Sequence, residues 1–321
     1  MSHDLACAFL AEWIYQPVVE SLPVSGLELI VLQTPQEDLG INLQWAVLRG
    51  RHGTFRGQCF LVYRGSETIL DWTENASTSL KGVEVPRWGV LLLHSGFWSS
   101  VDGERDRLHA ALVKAAEGVS LEVLVVCGGS KGGANTLATA ALLLAPRLGQ
   151  LKVPCKQLLF VTFGAPNIAG RGSDAQGSTS ALNLLRDALR QKAPGSRSWV
   201  FTEDPIPALM SRSSGAVLDE YGKTARWGIK LLRYMSPGAY NKAKGYFEQA
   251  VKVTRTLEPL LPEEPLVPPP AVRTKKKSRF DASVHPQLNY TEALCRRMLG
   301  QELMLEIDSG ESQRRSRNSR L

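Results

Sequence analysis

The chain has 321 residues, 43% of them hydrophobic, and a formal charge of +7, enough to bury one substantial core without requiring a second full domain. No apolar run approaches the ~20 residues that span a bilayer, and Met1 to Glu20 offers neither a basic leader nor a clean apolar core for secretion. The expected compartment is therefore the cytoplasm, with peripheral membrane or organellar placement as the alternative.

In chain order, apolar runs predict strands at Leu27–Leu32, Trp45–Leu48, Cys59–Tyr63, Val90–Leu93, Val123–Cys127, Leu158–Phe163 and Ser198–Phe201. Helices are predicted at Arg105–Ala116, Gly133–Leu148 and Ala181–Gln191, each between strands. Strands alternating with helices imply a largely parallel central sheet covered by helices on both faces. After Pro207 the character changes. Tyr221–Arg255 is basic and helical, and Pro259–Pro270 is proline-rich and expected to form a linker or long surface loop. Thr274–Gly300 recovers apolar periodicity around Tyr290, Ala293, Leu294 and Met298, while Ser309–Leu321 is too polar to pack. The domain reading is one unit over 1–300 with a basic, proline-rich insertion at about 211–280, followed by a basic tail over 301–321 that is expected to be disordered.

The stretch from Leu124 to Gly133 carries the chemistry. Its apolar strand ends in Gly128-Gly129-Ser130-Lys131-Gly132 and passes into an Ala/Leu-rich helix. A serine at such a strand-to-helix turn is pushed out at the end of the sheet, and small residues on either side let the backbone bend. The backbone N–H of Lys131 points at the same space from a helix N-terminus, where negative charge is favoured. This is the pattern of a nucleophile elbow.

A serine nucleophile needs a base, and the base needs a carboxylate to hold its tautomer; α/β-hydrolases supply them in the chain order Ser, Asp, His. His285 is the only histidine beyond the elbow, since His3, His52, His94 and His109 precede it. Asp204 follows the strand Ser198–Thr202 in a proline-bounded turn, Asp204-Pro205-Ile206-Pro207, that would hold it at the sheet edge. A solvated turn aspartate and a surface histidine before Pro286 are the plainer readings of these two residues.

These segments resemble the class 3 (fungal-type) lipase family, from about Gln58 to about Asn289. Tyr63-Arg64-Gly65-Ser66 with Asp71-Trp72, His94-Ser95-Gly96-Phe97, the elbow, Thr162-Phe163-Gly164-Ala165-Pro166 and Asp204-Pro205-Ile206-Pro207 follow the family's motifs in order. The resemblance implies an α/β-hydrolase fold and a serine hydrolase (lipase or esterase) that cleaves acyl esters of lipids through an acyl-enzyme, without a cofactor. It assigns Ser130 as nucleophile, Asp204 as orienting carboxylate and His285 as general base and acid. Ser66 joins the Lys131 N–H in the oxyanion hole, Glu67–Leu80 forms a lid, and His94 lines the site, the plainer readings being an ordinary surface helix or loop for that stretch and a satisfied structural histidine for His94. Two positions depart from the family: Gly129 stands where it has His, and Lys131 where it has Leu. The substrate partner is then a lipid or small acyl ester, and the charged Lys131 ammonium near the site would help recruit anionic ones. The alternative is a catalytically silent lipase-like protein that binds lipids or partners.

The remaining features narrow the partners. Five scattered cysteines without Cys-x-x-Cys or histidine spacing predict free thiols and no metal. A phosphate-binding loop fails because Gly132 stands where Ser or Thr is needed. Basic clusters at 273–279 and 314–320 read as solvated tails, and with no nucleic-acid module beside them no nucleic-acid partner is expected. In Lys223–Met235, Trp227, Leu231, Tyr234 and Met235 recur on one face among four cations. That pattern fits either a domain helix or an interfacial helix that makes peripheral contact with anionic membrane.

Overall fold

A computed structural model describes residues 1–15, 21–35, 43–65, 79–145, 153, 155–170, 178–201, 204, 257–266 and 290–298. A seven-stranded sheet has the order β1-β2-β3-β6-β7-β9-β11. Its members are β1 (Leu27–Gln33), β2 (Trp45–Gly50), β3 (Gln58–Tyr63), β6 (Leu121–Gly129), β7 (Cys155–Phe163), β9 (Arg197–Phe201) and β11 (Glu263–Leu266). The first two pairings, β1/β2 and β2/β3, are antiparallel. From β3 onward every pairing is parallel. The chain thus has the largely parallel central sheet, covered by helices on both faces, that the strand and helix pattern predicts.

Successive side chains of a strand point to opposite faces, and this period divides the core in two. Leu61 and Tyr63 of β3 and Leu124 and Val126 of β6 enter one cluster. Phe60 and Val62, with Val125 and Cys127, enter the other. The first face is covered by α2 (Ser95–Gly103), α3 (Arg105–Ala116), α4 (Lys131–Leu144) and α5 (Ser178–Lys192). Because α4 is packed between the sheet and its neighbours, it is buried around nearly its whole circumference, with only Leu143 partly exposed. The second face is closed by α1 (His3–Trp13) and a helix over 290–298, here α6. Ser2 caps α1 by accepting the Leu5 N–H at 3.3 Å.

Three features depart from the sequence reading. The predicted strand at Val90–Leu93 forms as β5 (Gly89–His94), but outside the main sheet. It belongs to an antiparallel four-stranded sheet of order β10-β8-β5-β4, with β4 (Leu80–Val85), β8 (Ala169–Gly170) and β10 (Leu257–Glu258). Leu80, expected in a lid, begins β4. Part of the proline-rich run expected to be a linker is the edge strand β11, parallel to β9 from Glu263↔Ser198 to Leu266↔Phe201. Pro265 is tolerated there because an edge strand leaves one side unpaired, where a missing N–H costs nothing. No helix among the described residues is long and apolar enough to cross a membrane.

Candidate active site

Ser130 sits between the last residue of β6 and the first of α4, with φ 52° and ψ −123°. This backbone region is sparsely populated for a residue with a Cβ and costs of order 1–3 kcal/mol, so neighbouring contacts must hold it. The Ser130 N–H donates to the Phe163 carbonyl at 2.8 Å, tying the turn to the end of β7. On the other side a Cβ at Gly132 would lie 2.4 Å from the Tyr63 oxygen and 3.0 Å from the Arg64 carbonyl. Only glycine lets the end of β3 approach the helix this closely. Ser130 is partly exposed between buried neighbours, which presents its hydroxyl at the carboxyl end of the parallel strands.

Lys131 opens α4, so its amide belongs to the first turn, whose N–H groups point out of the positive end of the helix. Lys131 as a residue is only 9% exposed. Gly129, in place of the family's histidine, does not prevent the strained turn from forming.

The segment after β3 is braced from α1's end. Tyr15 stacks under the Arg64 guanidinium, 5.4 Å from its ring centroid. Burial pushes the Tyr15 phenol up to about 12, while Arg64 and a backbone hydrogen bond with Gly65 pull the other way. Arg64 also donates to Gln44 Oε1 at 2.8 Å, and Gln44 donates to the Ile14 carbonyl at 2.9 Å. This network fixes the backbone that leads into position 66. Ser66, most of the expected lid, His285, the basic segment 223–235 and the tail lie outside the described residues.

Asp204 stands three residues past β9, with its N–H bonded to the Phe201 carbonyl at 3.0 Å and its side chain 1% exposed. Tyr290, at the start of α6, donates from its hydroxyl to Asp204 Oδ2 at 2.5 Å and accepts the Phe201 N–H at 3.3 Å. Burial, then the charge and hydrogen bond of Asp204, hold the Tyr290 phenol well above its ordinary range. Gly164, one residue past β7, has φ +56°, and a Cβ there would lie 2.7 Å from Tyr290 Oη and 2.9 Å from Asp204 Oδ2. The glycine of the Thr-Phe-Gly-x-Pro motif is therefore the gap that admits the carboxylate and the phenol. Since Phe163 accepts from Ser130 and Gly164 abuts Asp204, the carboxyl end of β7 links Ser130 to Asp204.

The sequence reading noted Tyr290 only as part of an apolar periodicity and did not single out Tyr15. A tyrosine in an apolar helix stripe signals a buried hydroxyl that needs a partner, but not which partner. His94 is 1% exposed, and burial lowers its pKa to about 4, so it is neutral near pH 7. Among the described residues its Nδ1 has no hydrogen-bond partner, whereas its backbone N–H bonds to the Ile168 carbonyl at 2.8 Å. It is a buried residue heading α2. Among the described residues no cluster of three or more His, Cys, Asp or Glu could hold a metal ion.

Residues 60–213 match the family Lipase (class 3). Among solved structures, the Rhizomucor miehei triacylglyceride lipase is 20% identical with a TM-score of 0.49, over 64% of this chain and 72% of that one. Lipase II from Rhizopus niveus is 18% identical with a TM-score of 0.48, over 65% and 74%. The lipase from Rhizopus microsporus var. chinensis is 17% identical with a TM-score of 0.48, over 65% and 68%. No curated protein matches the chain.

Proposed function

We propose, from the premise that the chain belongs through residues 60–213 to the class 3 lipase family and is a lipase-type carboxylic ester hydrolase, that it cleaves acyl esters of lipids through Ser130, Asp204 and His285. The observation that carries this reading is the backbone of Ser130, φ 52° and ψ −123° at a strand-to-helix turn. Asp204 lies at the same end of the sheet. Ser130 Oγ attacks the ester carbonyl while His285 takes its proton, and the oxyanion forms against the Lys131 N–H and the N–H and hydroxyl of Ser66. His285 then protonates the departing alkoxide, and water, activated by the same imidazole, releases the acid from Ser130.

His285 precedes Tyr290 by five residues, a stretch that reaches at most ~18 Å when extended. The hydrogen bond from Tyr290 to Asp204 therefore supports a base supplied five residues before Tyr290. Two preorganised donors contribute several kcal/mol to lowering the barrier, each loss costing about 100-fold or more.

The test is labelling with a fluorophosphonate, which phosphonylates an activated serine. Wild type is expected to label, Ser130→Ala not at all, and Asp204→Ala and His285→Ala far more slowly. Absence of labelling in folded wild type, or undiminished labelling in Ser130→Ala, refutes the assignment.

A further inference from the structure

Asp204 and Tyr290 are 86 residues apart in sequence, and between them the chain forms β11 on the edge of the main sheet. Tyr290 has no exposed surface, so water cannot replace a hydrogen bond it loses. Its ring packs 4.1 Å from the Phe201 ring at 34° and edge-on to Phe163 at 6.3 Å. These rings lie on the last residues of the two strands that flank Asp204. The hydroxyl uses both its donor and its acceptor capacity, toward Asp204 Oδ2 and the Phe201 N–H.

The helix that carries Tyr290 is held independently of it. Thr291 Oγ1 donates to the Ala8 carbonyl of α1 at 3.4 Å. Arg297 donates to the Pro265 carbonyl of β11 at 3.1 Å and lies 4.9 Å from the Trp199 ring of β9. Ala293 and Leu294 are buried in the second core. A tyrosine anchored in this way brings its hydroxyl to a fixed point, and that point is one carboxylate oxygen.

We infer that Tyr290 is a positioning residue of the ester hydrolase: its hydroxyl fixes the plane of the Asp204 carboxylate, so that the other oxygen orients the base. The inference rests on the triad reading above. A carboxylate bonded at one oxygen by a rigid donor has lost its rotation about χ2, and displacements of ~1 Å in a catalytic group cost on the order of 100-fold in rate. A Tyr at this position that served packing alone would be replaceable by Phe.

Tyr290→Phe removes one atom and keeps the ring. Steady-state hydrolysis of a soluble short-chain p-nitrophenyl ester is measured against pH for wild type, Tyr290→Phe and Asp204→Ala, with thermal unfolding of each. For Tyr290→Phe a fall in kcat of roughly 10- to 100-fold is expected, with KM little changed. The acid limb of kcat/KM is expected at higher pH, because a carboxylate that no longer shares its charge with the phenol holds the imidazolium more strongly. Wild-type kcat and an unmoved limb in folded Tyr290→Phe, while Asp204→Ala is crippled, overturn the inference alone. An Asp204→Ala variant as active as wild type overturns the triad reading and the inference with it.

A second measurement does not depend on the folding of Tyr290→Phe. In Asp204→Asn the buried phenol loses its neighbouring negative charge, and its alkaline absorbance titration is expected at lower pH than in wild type. An unshifted titration refutes the contact.

Discussion

On the Ser130 side of the candidate site, β6, the turn at Ser130 and α4 run without interruption from Leu121 to Leu144. On the acid side, Asp204 depends on a tyrosine 86 residues downstream, a glycine at the end of β7 and the last N–H of β9. A turn encoded in one contiguous segment carries its own packing glycines and its own helix. A carboxylate held by residues from three separate segments has no such local insurance, and its position depends on the docking of the last described helix. The Ser130 side should therefore fail through stability, and the acid side through rate.

The largest effect is expected for Gly132→Ala. Its Cβ would meet main-chain atoms of Tyr63 and Arg64 that cannot rotate away, so about 3–4 kcal/mol of stability should be lost. Urea denaturation with an unchanged midpoint would show that the two segments are not in contact.

His94 gives a pH-dependent version of the same test, because α2 packs on α4. An unfolded histidine takes up its proton near the ordinary 6.5, whereas buried His94 resists until about 4. Between these values the unfolded state binds more protons, so stability falls as the pH drops through the window, by about 3 kcal/mol over its full width. The unfolding midpoint of His94→Gln, measured from pH 7 to pH 4, should lack this component of the wild-type slope. Parallel wild-type and variant profiles would sink the prediction.

Gly164→Ala sharpens the contrast from the acid side. An alanine at φ +56° is strained by roughly 1–2 kcal/mol, and its methyl must displace the Tyr290 hydroxyl and Asp204 Oδ2. The expected outcome is a stability loss of about 2 kcal/mol, smaller than that of Gly132→Ala, but a fall in kcat of about 100-fold in the molecules that fold. Equal specific activity per folded molecule would remove the distinction between the two sides.

Much of the fold was legible because its signals are local. The seven predicted strands and the three helices predicted between them each form, with boundaries extended or trimmed by a few residues, while the helical segment predicted at 221–255 lies outside the described residues. A parallel strand buried on both faces reads as an apolar run, and an elbow reads as glycines around a serine. The same reasoning missed β11, because a strand containing Pro265 resembles a linker until its partner, β9, is known. It also missed α1, whose run of Ala6, Cys7, Ala8, Leu10 and Ala11 shows no polar face from which to read a helical period. The separate sheet of β4 and β5 was missed because strand periodicity does not name the strand on the other side.

By itself, the sequence determined the local geometry around Ser130: a strained turn, its flanking glycines and the helix that follows are all set by residues within one short stretch, where steric and propensity effects act between neighbours. Only the tertiary structure decided what holds Asp204. Hydrogen bonds between Tyr290, Asp204 and Phe201 join positions that no periodicity links, and their geometry comes from two helices closing the second face of the sheet. Loop closure over such separations is bought by the burial of the whole core, so the partner of a buried carboxylate emerges from the fold and not from the segment that carries it.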